Sequence, residues 1–283
     1  MKHITSSANA AVRCVRKLLQ KKGRDTYGAF IIEGSILISD AVRAGMEIEH
    51  VFLRGSSAGG LCDYMTHELL RSLSQRGVEV ASLSEDIFDG IADTVTPKGM
   101  IAVAKKPHRP LEGRRMRGES KSCFLNSDAL LVLDRIQDPG NVGTIIRTAD
   151  AIGIGGVVCV KGTADPFSPK GVRAAAGALF RIPVHELGEP GDALDKLRLS
   201  GYRIAAVDAN AIAPCWGTDL SGRVALVMGN EGSGLSSCFV DAVDIAIHIP
   251  MEEGAESLNV AVAAAIVAYE RYRQIADLKG FGE

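Results

Sequence analysis

The chain lacks a CxxC pair, and its six cysteines are scattered with no histidine cluster beside them. This distribution disfavours a disulfide framework and a metal site, and it fits a reducing cytoplasm. No stretch approaches about 18 uninterrupted apolar residues, and residues 1–12 contain no apolar signal core. We therefore expect a cytoplasmic protein that does not span a membrane and binds no metal.

Neither sign of charge is in large excess, because the net charge is -2 over 283 residues. A nucleic-acid surface, if present, must therefore be local. Two segments qualify. Residues 105–121 hold seven Lys/Arg against two Glu, and residues 12–24 hold six Lys/Arg and no acid. A solvated helix and an ordinary linker remain the alternatives for these segments.

The chain length allows two domains of ordinary size. Residues 1–107 read as a small α/β unit with four apolar strand-like runs, at 30-FIIE, 51-VFL, 78-VEVA and 100-MIAVA. Its candidate helices are 35–44, 63–75 and 84–92. Residues 108–128, which contain four Arg and show no apolar periodicity, read as an exposed basic linker.

Residues 129–283 show a regular alternation of strands and helices. Their five apolar runs are 129-ALLVLD, 156-GVVCV, 202-YRIAAVD, 224-VALVMG and 245-IAIHIP. Such alternation predicts a parallel sheet covered on both faces. Ligands of these sheets bind at the carboxyl ends of the strands, where this sequence places its unusual polar residues.

Three segments at these strand ends carry chemistry, although each has a plain structural explanation. In 134-DRIQDPGNVGTIIRTADAIG-153 a helix starts near Asn141 and leaves Arg147 off its buried stripe, as a solvated arginine would be. The segment 228-MGNEGSGLS-236 lacks the glycine spacings of phosphate and dinucleotide loops. It reads as a glycine turn, but a glutamate such as Glu231 is unfavourable in such a turn unless its carboxylate has a partner. In 249-IPMEEGAESLNVAVAAAIVAYERY-272 the polar cluster caps a buried helix and is larger than capping requires.

In this order, the three segments resemble the signature motifs of the SpoU/TrmH-type RNA ribose 2′-O-methyltransferases. The stretch 168-SPKGVRAAAGALFRIPV resembles the family's middle segment, with Ala175 where many relatives have serine. In the N-terminal half, 30-FIIEGSILISDAV and 93-DTVTPKGMIAV resemble the family's small L30e-like substrate-binding domain. Nearly all of the chain is covered by the resemblance.

The resemblance implies an α/β fold with a parallel-sheet C-terminal domain that contains a deep trefoil knot and binds S-adenosylmethionine. It also implies a homodimer with its active site near the subunit interface. The implied cofactor-binding residues are Gly229, Asn230, Gly232, Ile249 and Leu258. The implied catalytic residues are Arg147, Asn141, Glu231, Ser257 and Asn259.

The implied reaction transfers a methyl group from a sulfonium to a ribose 2′-hydroxyl. Arg147 matches the family's key arginine. Since arginine stays protonated in proteins, we interpret it as a cation for a substrate phosphate and the developing alkoxide, not as a general base. The other catalytic residues would orient Arg147 and the ribose.

The RNA-binding prediction includes cations of both basic segments: Arg13, Arg16, Lys17, Lys21, Lys22, Arg24, Arg114, Arg115 and Arg117. We expect ribosomal RNA as the substrate in preference to transfer RNA, by analogy with the L30e-like domain. One alternative stays open at this point, a non-catalytic RNA-binding or ribosome-assembly factor on the same fold. A nucleotide-dependent α/β enzyme is disfavoured, because both phosphate-binding glycine signatures are missing.

Overall fold

The computed structural model describes residues 1–55, 64–94, 96–107, 127–252, 254 and 257–278. The chain divides into two compact units. Unit 1 comprises Met1–His108 and Asp165–Phe180, and unit 2 comprises Arg109–Ala164 and Arg181–Glu283. The segment 165–180, which falls inside the predicted 129–283 domain, thus packs with the N-terminal part of the chain.

Unit 1 is built on a mixed sheet. Its strands within the described residues are β1 Lys2–Ile4, β2 Ala29–Glu33, β3 Ile48–Arg54, β4 Glu79–Leu83 and β5 Met100–Lys105. They are ordered β1-β4-β3-β5-β2, with β5 antiparallel to both of its neighbours. The helices are α1 Ala10–Leu18, α2 Lys21–Tyr27, α3 Ser35–Arg43, α4 Tyr64–Gln75, α5 Glu85–Asp89 and α7 Pro169–Ala175.

The first basic segment forms two helices. The Asn9 side chain caps α1 by accepting a hydrogen bond from the Ala11 N–H at 2.9 Å. The chain then breaks between α1 and α2, and the two helices approach closely at Gly23. A Cβ at Gly23 would lie 1.9 Å from the Lys17 carbonyl oxygen, so this approach requires glycine.

The segment 165–180 completes the core of unit 1. The ring of Phe30 on β2 lies 5.1 Å from that of Phe167 and 6.4 Å from that of Phe180, centroid to centroid. The Arg24 Nε donates to Asp165 Oδ2 at 2.6 Å, and both side chains are about 95% buried. Arg24 also donates to the carbonyl of Leu18 at 2.7 Å, which fixes the end of α1.

We expect Arg24→Ala to lower the free energy of unfolding by about 3–5 kcal/mol, because the substitution leaves the Asp165 carboxylate buried without its cation. Urea denaturation followed by circular dichroism measures the loss. Lys21→Ala on the same helix is the control, since the Lys21–Asp25 pair is half exposed and contributes about 0–1 kcal/mol. Equal losses in the two variants would contradict the structural role of Arg24.

Unit 2 is built on a sheet whose described strands are all parallel. The strands are β6 Ala129–Leu133, β7 Val157–Cys159, β8 Val184–Glu186, β9 Arg203–Val207, β10 Ala213–Pro214, β11 Val224–Met228 and β12 Ile245–His248. Their order is β10-β12-β9-β11-β6-β7-β8. The central strands β6 and β11 are buried at every position. The predicted α/β fold with a parallel C-terminal sheet is confirmed.

The helices of unit 2 cover this sheet. They are α6 Pro139–Ala151, α8 Pro190–Leu199, α9 Ser237–Asp241 and α10 Val260–Leu278. Asp138 caps α6 by accepting from the Gly140 N–H at 3.2 Å, with Pro139 in the first turn. The helix α6 packs against α10. Within the described residues, none of the helices is long and apolar enough to cross a membrane.

Candidate functional site

A cleft of about 700 Å³ lies at the carboxyl ends of β9, β11 and β12. Its size suits a small-molecule ligand. Residues at three strand ends line it: Val207–Asn210 at the end of β9, Met228–Glu231 at the end of β11, and Ile249 after β12. The start of α10 closes the cleft with Leu258 and Val260. The parallel sheet therefore brings sequence-distant loops to one edge.

The loop 229–235, called the glycine loop below, has no room for a side chain at its start. A Cβ at Gly229 would lie 2.7 Å from the Gly234 carbonyl carbon and 2.8 Å from the Leu235 nitrogen. The backbone groups of Asn230 and Gly234 pair in both directions at 2.9 and 3.0 Å. Gly234 has a left-handed φ of 64°, which closes the turn.

The Asn230 side chain organises the interior of the glycine loop. Its Oδ1 accepts hydrogen bonds from the backbone N–H groups of Gly232 at 2.9 Å and Ser233 at 2.8 Å. Gly229 and Asn230 line the cleft, as do the predicted cofactor residues Ile249 and Leu258, whereas Gly232 does not. Gly232 thus acts on the shape of the loop.

A chain of hydrogen bonds joins the three signature segments at the rim of the cleft. Glu231 Oε1 accepts from Asn141 Nδ2 at 2.9 Å, and Asn141 Oδ1 accepts from Asn259 Nδ2 at 3.1 Å. Asn259 Oδ1 then accepts from the Ala261 N–H at 2.9 Å and caps α10. A carboxylate at one end and a backbone N–H at the other fix the orientation of both amides.

The Glu231 carboxylate is held in its ionised form. Partial loss of hydration raises the pKa of Glu231, but hydrogen bonds from Asn141 and from backbone N–H groups, including that of Gln137 at 3.2 Å, outweigh this effect. The net pKa of Glu231 is lowered from its ordinary value. At neutral pH it therefore accepts hydrogen bonds and holds no proton to donate.

The remaining two predicted catalytic residues lie apart from this chain. Ser257 is exposed and lines the cleft directly. Arg147 is exposed on α6, six residues beyond Asn141, and does not line the cleft. Within the described part of the chain it forms no hydrogen bond or ion pair. Its guanidinium is therefore available to a ligand from outside.

Sequence reasoning missed two groups of residues. Asp208 and Asn210 line the cleft after β9, with Asp208 Oδ1 accepting from the Asn210 N–H at 2.9 Å. Their position at the end of an apolar run was the available signal. Arg135 and Asp134, which follow β6, bond from outside the cleft to the glycine loop at Gly234 and to Ser236 directly after it. No sequence pattern indicated these contacts, because about 100 residues separate Asp134 and Arg135 from their partners.

The predicted RNA-binding cations divide into three groups. Exposed residues of α1 and α2 form the first: Arg13, Arg16, Lys17, Lys21 and Lys22. Arg24 departs from the prediction, because it is 3% exposed and bound to Asp165, so we withdraw it from the RNA surface. The linker residues Arg114, Arg115 and Arg117 lie outside the described residues.

No cluster of three or more side chains suited to a metal ion occurs in the ranges that the structure describes. The cleft itself fits S-adenosylmethionine by its own features. It has the volume for a nucleoside with an amino-acid tail, apolar walls such as Leu235 and Val240, and a backbone-lined loop at Gly229 that excludes side chains.

Comparison with known proteins agrees with this geometry. Residues 128–269 match the model of the SpoU rRNA Methylase family, and residues 9–102 match the MRM3-like substrate binding domain. The chain is 34% identical to the 23S rRNA (guanosine(2553)-2′-O)-methyltransferase RlmP of Bacillus subtilis, over 95% of this chain and 98% of that protein. It is 30% identical to the 23S rRNA (uridine(2479)-2′-O)-methyltransferase of Streptomyces viridochromogenes, over 95% and 91% respectively.

Solved structures of the same family superpose on this chain. The AdoMet-bound rRNA methyltransferase from Sinorhizobium meliloti superposes with a TM-score of 0.80 at 31% identity, covering 97% of this chain and 98% of that one. The AdoMet complex of the SpoU methyltransferase AviRb from Streptomyces viridochromogenes superposes with a TM-score of 0.81 at 29% identity, covering 94% and 98%. The chain therefore belongs to the SpoU rRNA methylase family, and it is an RNA 2′-O-methyltransferase that uses S-adenosylmethionine.

Proposed function

We propose that the cleft binds S-adenosylmethionine and that Asn141, Glu231, Ser257 and Asn259 position a ribose at its rim. The observation that carries this proposal is the hydrogen-bond chain Glu231–Asn141–Asn259, which links three separate segments beside the cleft. Bound S-adenosylmethionine supplies a methyl group already activated on a sulfonium. The protein must therefore align the 2′-hydroxyl and manage one proton.

Different residues of the chain position the ribose and stabilise the charge that develops on it. The ionised Glu231 anchors Asn141, and the two asparagines orient polar groups toward the ribose. Ser257, exposed at the cleft, is placed to hydrogen-bond the hydroxyl. Arg147 binds a phosphate of the RNA and stabilises the alkoxide that develops as the 2′-hydroxyl releases its proton to solvent water during methyl transfer. Its protonated guanidinium cannot serve as the base.

We further propose that the active unit is a homodimer formed through α10. This helix exposes a stripe of Val262, Ile266, Tyr269 and Tyr272, between 38% and 59% accessible, and Trp216 is 59% accessible. Trp216, Ile266 and Tyr269 also line an apolar groove of about 470 Å³. Contiguous apolar surface of this kind marks an interaction site. A second copy would also offer its Arg147, which does not line the cleft of its own chain.

Ile266→Glu is expected to convert the dimer into a monomer, because it places a charge in the apolar contact. Light scattering after size-exclusion chromatography measures the mass. Leu199→Glu is the matched control, since Leu199 on α8 is 89% exposed and lies outside the stripe. A monomeric wild-type protein, or an unchanged mass for Ile266→Glu, would contradict the proposed interface.

We propose ribosomal RNA as the substrate. The support is that relatives across nearly the whole chain are named as methyltransferases of 23S rRNA. An rRNA target also suits the predicted cytoplasmic location. The test uses S-adenosylmethionine labelled in its methyl group, with total RNA or ribosomal subunits from a strain that lacks the gene. Label in a large rRNA band supports the proposal, and label in the tRNA band overturns the choice of rRNA. No label in either preparation favours the non-catalytic binder.

We propose that α1 and α2 of unit 1 contact RNA phosphates. Replacing Arg13, Arg16 and Lys17 by alanine is expected to weaken RNA binding. It should also flatten the salt dependence by about 0.7–0.9 in slope for each phosphate that is no longer neutralised. Filter binding at several salt concentrations measures both quantities. Arg43→Ala, an exposed arginine paired with Asp40 on α3, is the control. An unchanged slope in the triple variant would mean that this helix is only solvated.

A further inference from the structure

Arg135 has an uncommon backbone conformation. It follows the end of β6, and its φ is 61°, a left-handed value that a residue with a Cβ rarely adopts. Among the described residues other than glycine, Ala176 is its one companion with a positive φ. Such conformations persist where the surrounding contacts over-determine them, and they gather at functional sites.

Both polar backbone groups of Arg135 are held in place. Its N–H donates to Thr163 Oγ1 at 3.0 Å, and the Thr163 hydroxyl in turn donates to the Leu133 carbonyl at 2.7 Å. Its carbonyl accepts from Asn230 Nδ2 at 2.7 Å and from Gln137 Nε2 at 2.8 Å. The left-handed turn therefore aims this carbonyl at the residue that organises the glycine loop.

The side chain of Arg135 reaches the far end of the same loop. One terminal nitrogen donates to the Gly234 carbonyl at 3.2 Å, and Nε donates to Asp134 Oδ1 at 3.1 Å. Asp134 is fully buried, and its Oδ2 accepts from the Ser236 N–H at 2.5 Å. The backbone and side chain of Arg135 thus hold the glycine loop at Asn230 and Gly234, and Asp134 holds Ser236 directly after it.

We propose that Arg135 is a positioning residue that holds the glycine loop in the geometry that binds S-adenosylmethionine. The inference rests on the cofactor cleft of the proposed function. Arg135 does not line that cleft, whereas Asn230 and Gly234 do, so it acts through them. A loop held in its bound geometry loses less conformational freedom on binding. Loss of Arg135 therefore weakens cofactor binding and leaves transfer at saturating cofactor unchanged.

Two variants separate the side chain from the backbone. In Arg135→Ala the hydrogen bonds of the guanidinium are lost and the backbone is free to relax. We expect S-adenosylmethionine affinity, measured by isothermal titration calorimetry, to fall about tenfold, the size of one charge-assisted hydrogen bond. Arg135→Gly should lie between Arg135→Ala and the wild type, because glycine adopts the left-handed conformation readily and keeps the carbonyl directed at Asn230.

Kinetics distinguish positioning from a general loss of structure. The KM for S-adenosylmethionine should rise by the same factor as the Kd, with kcat within about twofold of the wild type. Unchanged affinity in Arg135→Ala, or a fall in kcat with KM unchanged, would overturn the proposal. Equal losses in the alanine and glycine variants would overturn the role of the backbone.

A second variant tests the same loop in case Arg135→Ala fails to fold. Thr163→Val removes the hydroxyl that accepts from the Arg135 N–H, and Thr163 does not line the cleft. It is expected to raise the KM for the cofactor with kcat preserved, and an unchanged KM would count against the proposal. Wild-type protein that fails to bind S-adenosylmethionine contradicts the cofactor site itself. Wild-type binding with unaltered Arg135→Ala binding contradicts this inference alone.

Discussion

Arg147→Ala is expected to abolish detectable methyl transfer while leaving S-adenosylmethionine binding nearly intact. The loss in kcat should be at least about 10²–10³-fold, the range for removing one group that stabilises a developing oxyanion. The fold should not change, because Arg147 is exposed and forms no hydrogen bond or ion pair within the described residues. Single-turnover transfer of labelled methyl to RNA and calorimetry with the cofactor measure the two quantities.

Thr144→Ala provides the control on the same helix, since Thr144 is exposed and its hydroxyl donates only to the Gly140 carbonyl among the described residues. It should retain wild-type turnover. Normal turnover in Arg147→Ala would show that the transition-state cation has been assigned to the wrong residue. Lost cofactor binding in Arg147→Ala would show instead that the arginine belongs to the cleft.

Gly229→Ala should weaken S-adenosylmethionine binding by about 5- to 150-fold, because overpacking of a closed site costs about 1–3 kcal/mol. The added methyl group would meet backbone atoms of Gly234 and Leu235 at 2.7 and 2.8 Å, and backbone cannot turn aside as a flexible side chain can. The glycine loop must therefore shift. Calorimetry with the cofactor measures the effect, and the melting temperature reports whether the fold survives.

Gly191→Ala is the matched control, since a Cβ at Gly191 meets no atom within 4 Å. It is expected to leave both affinity and stability near wild type. Wild-type affinity in Gly229→Ala would refute the close approach at this position. Gly229→Ala also tests the proposed dimer. A mixture of Gly229→Ala and Arg147→Ala proteins should regain transfer if one subunit supplies the arginine and the other supplies the cleft.

The central strands could be predicted from the sequence because parallel strands buried on both faces read as continuous apolar runs. The runs at 129 and 224 became β6 and β11, buried throughout. The strands β8 and β10, with three and two residues, are too short to leave a pattern. The break between α1 and α2 was also hidden, because residues 12–24 read as one basic segment and the close approach at Gly23 depends on tertiary structure.

The site was predictable to the extent that it lies in contiguous motifs. Glu231, Asn141 and Asn259 come together because parallel strands end at one edge, a general rule that needs no coordinates. The hold of Arg135 on the glycine loop could not be predicted, since it depends on a left-handed turn and on hydrogen bonds across 95 to 99 positions. The trefoil knot stays a prediction, because strand order alone does not state how the chain threads.

Because Asp165–Phe180 belongs to unit 1, no single cut in the chain separates the two units into two intact polypeptides. The chain passes between the units after His108, after Ala164 and after Phe180, so cleavage in the basic linker leaves only the 165–180 piece of unit 1 covalently attached to unit 2. A chimaera that exchanges residues 1–107 alone would also separate Phe30 from the rings of Phe167 and Phe180. A graft that keeps the core of unit 1 intact must therefore carry residues 165–180 together with the N-terminal piece.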